Sequence, residues 1–447
     1  MAGKGKGWRL AHQPLVSFSV VVLFSSLPII GFLLILYSNS NSNPFIRITI
    51  SPKQSIDPPP PPPSPPPSPP PPLPRSPPPP PRAHAASDSP RDVASTTKDC
   101  DMSKGRWIPD RSASLYTSSS CQTIPDSKNC FKHGREDRDF LFWRWKPNGC
   151  QLARFDAHKF LRVLTGKRLV FVGDSVARNQ FESLLCLSSQ AETPIDVYKD
   201  YEDRFRTLFF PRSNFTLMMF WTQFLIKHDE IIVNGSNTGV FNLHLDKVDD
   251  RWATKLSNID YAVISTSHWF FRRNYLYDRD NLVGCVYCNE PNVTDLSLNY
   301  SIRMAVRMAL KHINSCKECK DMVTIFRTFS PSHFENGAWN TGGGCNRTRP
   351  YSPQEVGKRR SIELELRELQ VEELESARKG GEAGERKFLS LDITEAMLMR
   401  PDGHPDAHWG NKWMKGYNDC THWCLPGPVD VWNDILMEVI LNEERLI

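Results

Sequence analysis

The stretch KRLVFVGDSVARNQFESLLCLSS, residues 167–189, decides the fold. Leu169–Val172 is a short apolar run that ends in Gly173. The apolar spacing of Val176–Ser189 is helical, so the segment reads as strand, turn, helix. Working outward, 213–221 (SNFTLMMFW), 260–267 (DYAVISTS) and 322–330 (MVTIFRTFS) read as further strands. Residues 299–315 read as a helix with Ile302, Ala305, Val306 and Ala309 on one face. Strands alternating with helices predict an α/β fold, a central, mostly parallel sheet with helices on both faces. Residues 354–379 are strongly charged, with Ile362, Leu366, Leu369 and Leu374 at helical spacing, and predict an exposed amphipathic helix.

Ser175 has two readings. A hydroxyl at a strand–helix junction lies at the positive end of the helix dipole, beside first-turn N–H groups able to hold an oxyanion. Equally, Asp174 or Ser175 caps the helix. A serine nucleophile needs a base and a group that orients it. Asp419 and His422 in NDCTHWC (418–424) are three apart, which in a helical turn puts both on one face. Cys420 and Cys424 flank them. His404, with Asp402 in RPDGHP, is the rival base, and His268 in STSHWFF reads as lining the pocket. Cys285-x-x-Cys288 and Cys316-x-x-Cys319 are spaced like zinc knuckles or short disulfides.

The chain has 447 residues and a formal charge of +5 with no dominant basic tract, which argues against nucleic acid as a partner. Residues 15–37 carry no charge, and at ~1.5 Å per residue a helix of that length crosses a bilayer core of ~30 Å. Lys4, Lys6 and Arg9 precede it, which predicts a cytosolic tail (1–14) and an uncleaved transmembrane signal-anchor (15–37). Nineteen of residues 58–81 are proline, so 38–97 reads as a stalk of extended, disordered character. Residues 98–447 are then lumenal, with a cysteine-rich, loop-like segment at 98–165 and the α/β part at 166–447. All twelve cysteines lie beyond the anchor, as do N-x-S/T sequons at Asn214, Asn234, Asn292, Asn299 and Asn346.

The long motifs CDMSKGRWIPD, VFVGDSVARNQFESLLC, VISTSHWF, FSPSHFENGAWNTGG, RPDGHP and DCTHWCLPGPVDVWND, across nearly all of residues 98–440, resemble the plant trichome birefringence-like family of polysaccharide O-acetyltransferases. The resemblance implies a serine-esterase-like (GDSL/SGNH-type) fold facing the Golgi lumen and acetyl transfer to a wall polysaccharide. It implies Ser175 as nucleophile with His422 and Asp419, Gly173 and Asp174 as supporting motif residues, and Asn214 in the oxyanion hole. It also implies the bridges Cys100–Cys150, Cys121–Cys186, Cys130–Cys424 and Cys345–Cys420. GCVYC (284–288) and FSPSHFENGAWNTGG are most similar to the branch that acetylates the side-chain galactose of xyloglucan. Mannan and xylan are the alternative acceptors. With water as the attacking group the same triad makes a polysaccharide acetylesterase. A non-enzymatic binding protein would stack sugars on the aromatics of 140–145 and 269–271. The resemblance implies no metal and no bound cofactor. An acetyl donor is required, and no phosphate-cradling glycine loop identifies it.

Overall fold

The computed structural model describes residues 100–112, 114–266, 268–357, 362–380, 386–410 and 416–445. The predicted anchor and stalk lie outside the described residues. Among the described residues no helix is long and apolar enough to cross a membrane.

The strands in chain order are β1 Gly105–Pro109, β2 Trp143–Pro147, β3 Arg168–Gly173, β4 Ile195–Lys199, β5 Phe205–Phe210, β6 Phe215–Trp221, β7 Ile226–Val233, β8 Ser236–Val248, β9 Tyr261–Ser265, β10 Asn274–Asp278, β11 Asn281–Val286, β12 Val323–Arg327 and β13 Lys387–Leu391. The main sheet has the order β13-β12-β9-β3-β6-β5-β4. Its first five strands are parallel, and β5 and β4 are antiparallel additions. Side chains alternate along a strand, so β3 feeds two cores. Leu169 and Phe171 pack with Leu184, Trp432 and Leu436 on one face. Val170 and Val172 pack with Ile302, Val306 and Phe326 on the other. The helices Ser175–Ser189 and Asp430–Glu444 cover the first face, and Leu298–Ser315 and Ile362–Gly380 the second. A strand buried on both faces must be apolar throughout, which is why Leu169–Val172 is continuous.

The chain leaves β3 toward β6 on one side and later toward β9 on the other. The strand order therefore reverses at β3, and in open α/β sheets the crevice for ligands opens beyond the carboxyl ends of the strands at such a point. Gly173 ends β3 there.

Three features depart from the sequence reading. Residues 98–165 are not all loop, because β1 and β2 pair antiparallel with Trp107 opposite Trp145. A second sheet, β11-β10-β8-β7, has strands too exposed to show an apolar run, as in IKHDEIIV (226–233). The charged segment forms Pro353–Gly357 and Ile362–Gly380, and the longer helix is only half exposed. It buries Leu366, Leu369 and Leu374 against Leu298–Ser315, and its Glu373 pairs with Arg303 at 3.0 Å and Arg307 at 2.7 Å.

Candidate active site

Gly173 is fixed by space. A Cβ there would lie 2.2 Å from the Ser265 carbonyl oxygen and 2.9 Å from Ala177 Cβ. Asp174 is fully buried and caps the helix, its Oδ1 accepting from the N–H groups of Val176 (2.9 Å) and Ala177 (3.4 Å). Those two donors are thereby withdrawn from any oxyanion role. Of the first-turn N–H groups, only that of Ser175 itself escapes the cap. Below the turn, the buried Arg327 donates to Ser265 Oγ at 2.7 Å and to the Val176 carbonyl at 3.4 Å, with its guanidinium over the Trp432 ring. Burial pulls Arg327 down to about 10, opposed by the Asp174 charge, so it stays cationic.

Asp419 and His422 meet through a turn rather than the helical turn their spacing predicts. Asp419 Oδ1 accepts from the N–H groups of Thr421 (3.1 Å) and His422 (3.0 Å). This is the side-chain turn that aspartate forms in place of a helix. The carboxylate also accepts from His422 Nδ1 at 2.8 Å. Burial alone would raise the Asp419 carboxyl, but the His422 ring and the hydrogen bonds it provides outweigh burial and hold it well below the usual carboxylate range. With Nδ1 donating to Asp419, His422 Nε2 carries the lone pair, and it is buried with no partner. His422 and Ser175 line one cavity of about 650 Å³, with no direct hydrogen bond between them.

Several groups hold this turn. Asn179, one helical turn beyond Ser175, accepts from the Trp423 N–H at 2.7 Å and donates to the Trp423 carbonyl at 3.2 Å. Helix and turn are thus joined four residues from Ser175 and one residue from His422. Cys345 is bridged to Cys420 and Cys130 to Cys424, on either side of His422. Cys121–Cys186 and Cys100–Cys150 are bridged too.

His404 is not placed as a base. Its Nδ1 donates to the His422 carbonyl at 2.6 Å, and its Nε2 accepts from His333 at 2.7 Å. Burial, and then the nearby His333, push it well below the ordinary histidine value. Asp402 is taken by Arg400 at 2.8 Å. RPDGHP therefore braces the His422 turn from behind. His268 lines the cavity, stacked on Phe329 at 4.8 Å, and burial pushes it down to about 4 against the Asp174 charge, leaving it neutral.

Asn214 is a correction. It precedes β6, whose opposite end, Trp221, is the one beside Gly173. Across the seven residues of β6, at ~3.3 Å each, that is about 20 Å from Ser175. Asn214 cannot reach an oxyanion there. Asn214, Asn234, Asn292 and Asn346 are exposed, and Asn299 is half-buried.

Among the described residues two clusters bring metal-ligating atoms together, Cys285/Cys288/Glu290 and Cys345/Asp406/Cys420. In both, the sulfurs are consumed by a disulfide. Cys316 and Cys319 are bridged as well. The sequence reading missed Asn179 and Arg327. The only signals were a polar residue within a helix's apolar face and an arginine closing an apolar strand.

Comparison with known proteins agrees with this architecture. A model described as the GDSL/SGNH-like acyl-esterase family found in Pmr5 and Cas1p matches residues 152–439, and the PMR5 N terminal domain matches 98–151. Xyloglucan O-acetyltransferase 4 of Populus trichocarpa is 60% identical over 341 residues, 76% of this chain and 81% of the relative. Xyloglucan O-acetyltransferase 2 of Arabidopsis thaliana is 53% identical over 344 residues, 76% and 83% of the two chains. Protein trichome birefringence-like 19 of Arabidopsis thaliana is 40% identical over 357 residues, 79% and 83%. The chain therefore belongs to the GDSL/SGNH-like acyl-esterase family found in Pmr5 and Cas1p, together with the trichome birefringence-like proteins.

Proposed function

We propose that the chain is a xyloglucan O-acetyltransferase that works by double displacement through an acetyl-Ser175. The observation that carries this reading is His422, held by Asp419 with its Nε2 unpartnered, lining the same cavity as Ser175. The relatives named for xyloglucan O-acetylation supply the substrate class.

His422 Nε2 takes the Ser175 proton as Oγ bonds to the carbonyl carbon of the donor's acetyl group. The oxyanion forms beside the Ser175 N–H and the positive helix end. The donor's leaving group departs with the proton from His422, leaving acetyl-Ser175. An acceptor hydroxyl then gives its proton to His422 and attacks the ester. Ser175 Oγ leaves and recovers the proton, so each cycle moves one acetyl group to the acceptor and one proton from the acceptor hydroxyl to the donor's leaving group. Asp419 holds the imidazole in the required tautomer and stabilises the imidazolium formed in both halves. Residues 15–37 anchor the chain in the Golgi membrane, 38–97 act as a stalk, and the catalytic part faces the lumen.

The test is acetylation of a panel of xyloglucan, mannan and xylan oligosaccharides, read by mass spectrometry, with wild-type and Ser175→Ala protein. Acetylated xyloglucan with wild type alone supports the reading. Free acetate without acetylated sugar makes the protein an esterase and refutes transfer.

A further inference from the structure

Among the described residues Trp339 is the only tryptophan left exposed, at 47%, and Tyr417 beside it is 38% exposed. Their ring centroids are 6.4 Å apart and inclined by 34°. Both line the cavity of Ser175 and His422. Water-facing rings of this size forgo a large burial energy, and on a floppy loop they would need no further account. This loop is tightly built. Glu335 and Gly344 exchange backbone hydrogen bonds at 2.8 and 3.0 Å, and the Ala338 N–H is held by Thr341 Oγ1 at 2.7 Å. At Gly337, with φ of +148°, a Cβ would lie 2.8 Å from the Thr341 carbonyl.

The loop is also tied to the catalytic turn. Asn418 Nδ2 donates to the Gly343 carbonyl at 3.1 Å, and Cys345 is bridged to Cys420. Tyr417 and Asn418 immediately precede Asp419. A ligand resting on the two rings is therefore held at a fixed offset from His422.

We infer that Trp339 and Tyr417 form a lip that binds the unreacting β-linked glucan backbone of the acceptor by stacking, while the side-branch hydroxyl reaches down to His422. This rests on the O-acetyltransfer reading. A pyranose ring has an apolar face of C–H groups and a polar edge of hydroxyls. A β-linked glucan is a flat ribbon whose apolar faces are continuous, and paired rings suit it. An α-linked glucan coils and offers no such face. Rigid rings also lose little conformational freedom on binding, which is the benefit of a pre-built platform.

Binding is measured by calorimetry on the full-length chain in detergent, in a Ser175→Ala background so that no turnover contributes. The ligands are a xyloglucan oligosaccharide and a malto-oligosaccharide of equal backbone length. Trp339→Ala and Tyr417→Ala should each weaken xyloglucan binding by about tenfold, the loss expected of a stacked anchor residue. Trp339→Phe should recover most of it, and the malto-oligosaccharide should not bind. The two alanine variants lie on separate segments, so a folding failure in one, read from its melting curve, leaves the other to decide. Variants that bind like their parent, a parent that does not bind xyloglucan, or equal binding of the α-linked chain would each overturn the lip. If acetyl transfer fails in wild type while the variants still lose binding, the lip stands and the proposed chemistry falls.

Discussion

Asn179→Ala is the perturbation whose consequence is most closely determined by the geometry. Asn179 is fully buried and makes a two-point contact with the backbone of one residue, accepting from the Trp423 N–H at 2.7 Å and donating to its carbonyl at 3.2 Å. Alanine removes both partners and leaves a buried donor and a buried acceptor. Each costs about 1–3 kcal/mol, so about 2–6 kcal/mol in total. That cost falls on Trp423, the residue directly after His422. A released turn can relieve it by moving, and a shift of about 1 Å at a reacting group is enough to lose about 10²-fold in rate. Stability and catalysis should therefore fall together. The assays are thermal unfolding and kcat for xyloglucan oligosaccharide acetylation. Asn179→Leu, which restores volume without hydrogen bonds, should be no better than alanine. An Asn179→Ala protein with an unchanged melting temperature and kcat within about twofold of wild type would refute the reasoning.

Other substitutions test other parts of the structure. Asp419→Asn should keep the fold but cost about 10⁴-fold in kcat, because the amide no longer fixes the imidazole tautomer; steady-state kinetics checks it. Replacing both Cys345 and Cys420 by Ala opens a crosslink of sequence separation 75 and should cost about 4 kcal/mol by denaturant titration. Burial pushes Asp430 up to about 6 and, with Asp430 as neighbour, Asp434 up to about 7. Their folded values exceed the unfolded one of ~3.9, so between about pH 4 and 7 the folded state holds protons that the unfolded state has released, and stability falls as pH rises through that window. Asp434→Asn, which keeps an acceptor for the Phe155 N–H, should raise the melting temperature at pH 8 and change it little at pH 4.

The legible parts of the molecule are those in which local sequence and packing demand the same thing. Leu169–Val172 must be apolar on both faces because β3 lies between two cores, and Gly173 must be glycine because Ser265 leaves no room. The Asp419–His422 spacing pointed to a contact that the structure makes, but for the wrong local reason. A three-residue offset fits a helical turn and also a turn closed by the aspartate itself, and only the backbone path separates them. Asn214 failed because nearness to a strand says nothing about which end of it faces the crevice, and the parallel pairing of β3 with β6 sets that end. His404 looked like a base because a sequence does not show that both ring nitrogens are already engaged. The strands β7, β8, β10 and β11 went unseen because half-exposed strands lack a continuous apolar run.

The central claim is that Ser175 carries the acetyl group. The most direct measurement is to mix the full-length protein with an activated acetyl ester, quench before acceptor is added, and map modified peptides by mass spectrometry. One acetyl group on Ser175, discharged when xyloglucan oligosaccharide is supplied and absent from Ser175→Ala, is the predicted result. Acetyl transfer to xyloglucan by the Ser175→Ala protein, with no label at Ser175 in wild type, would contradict it.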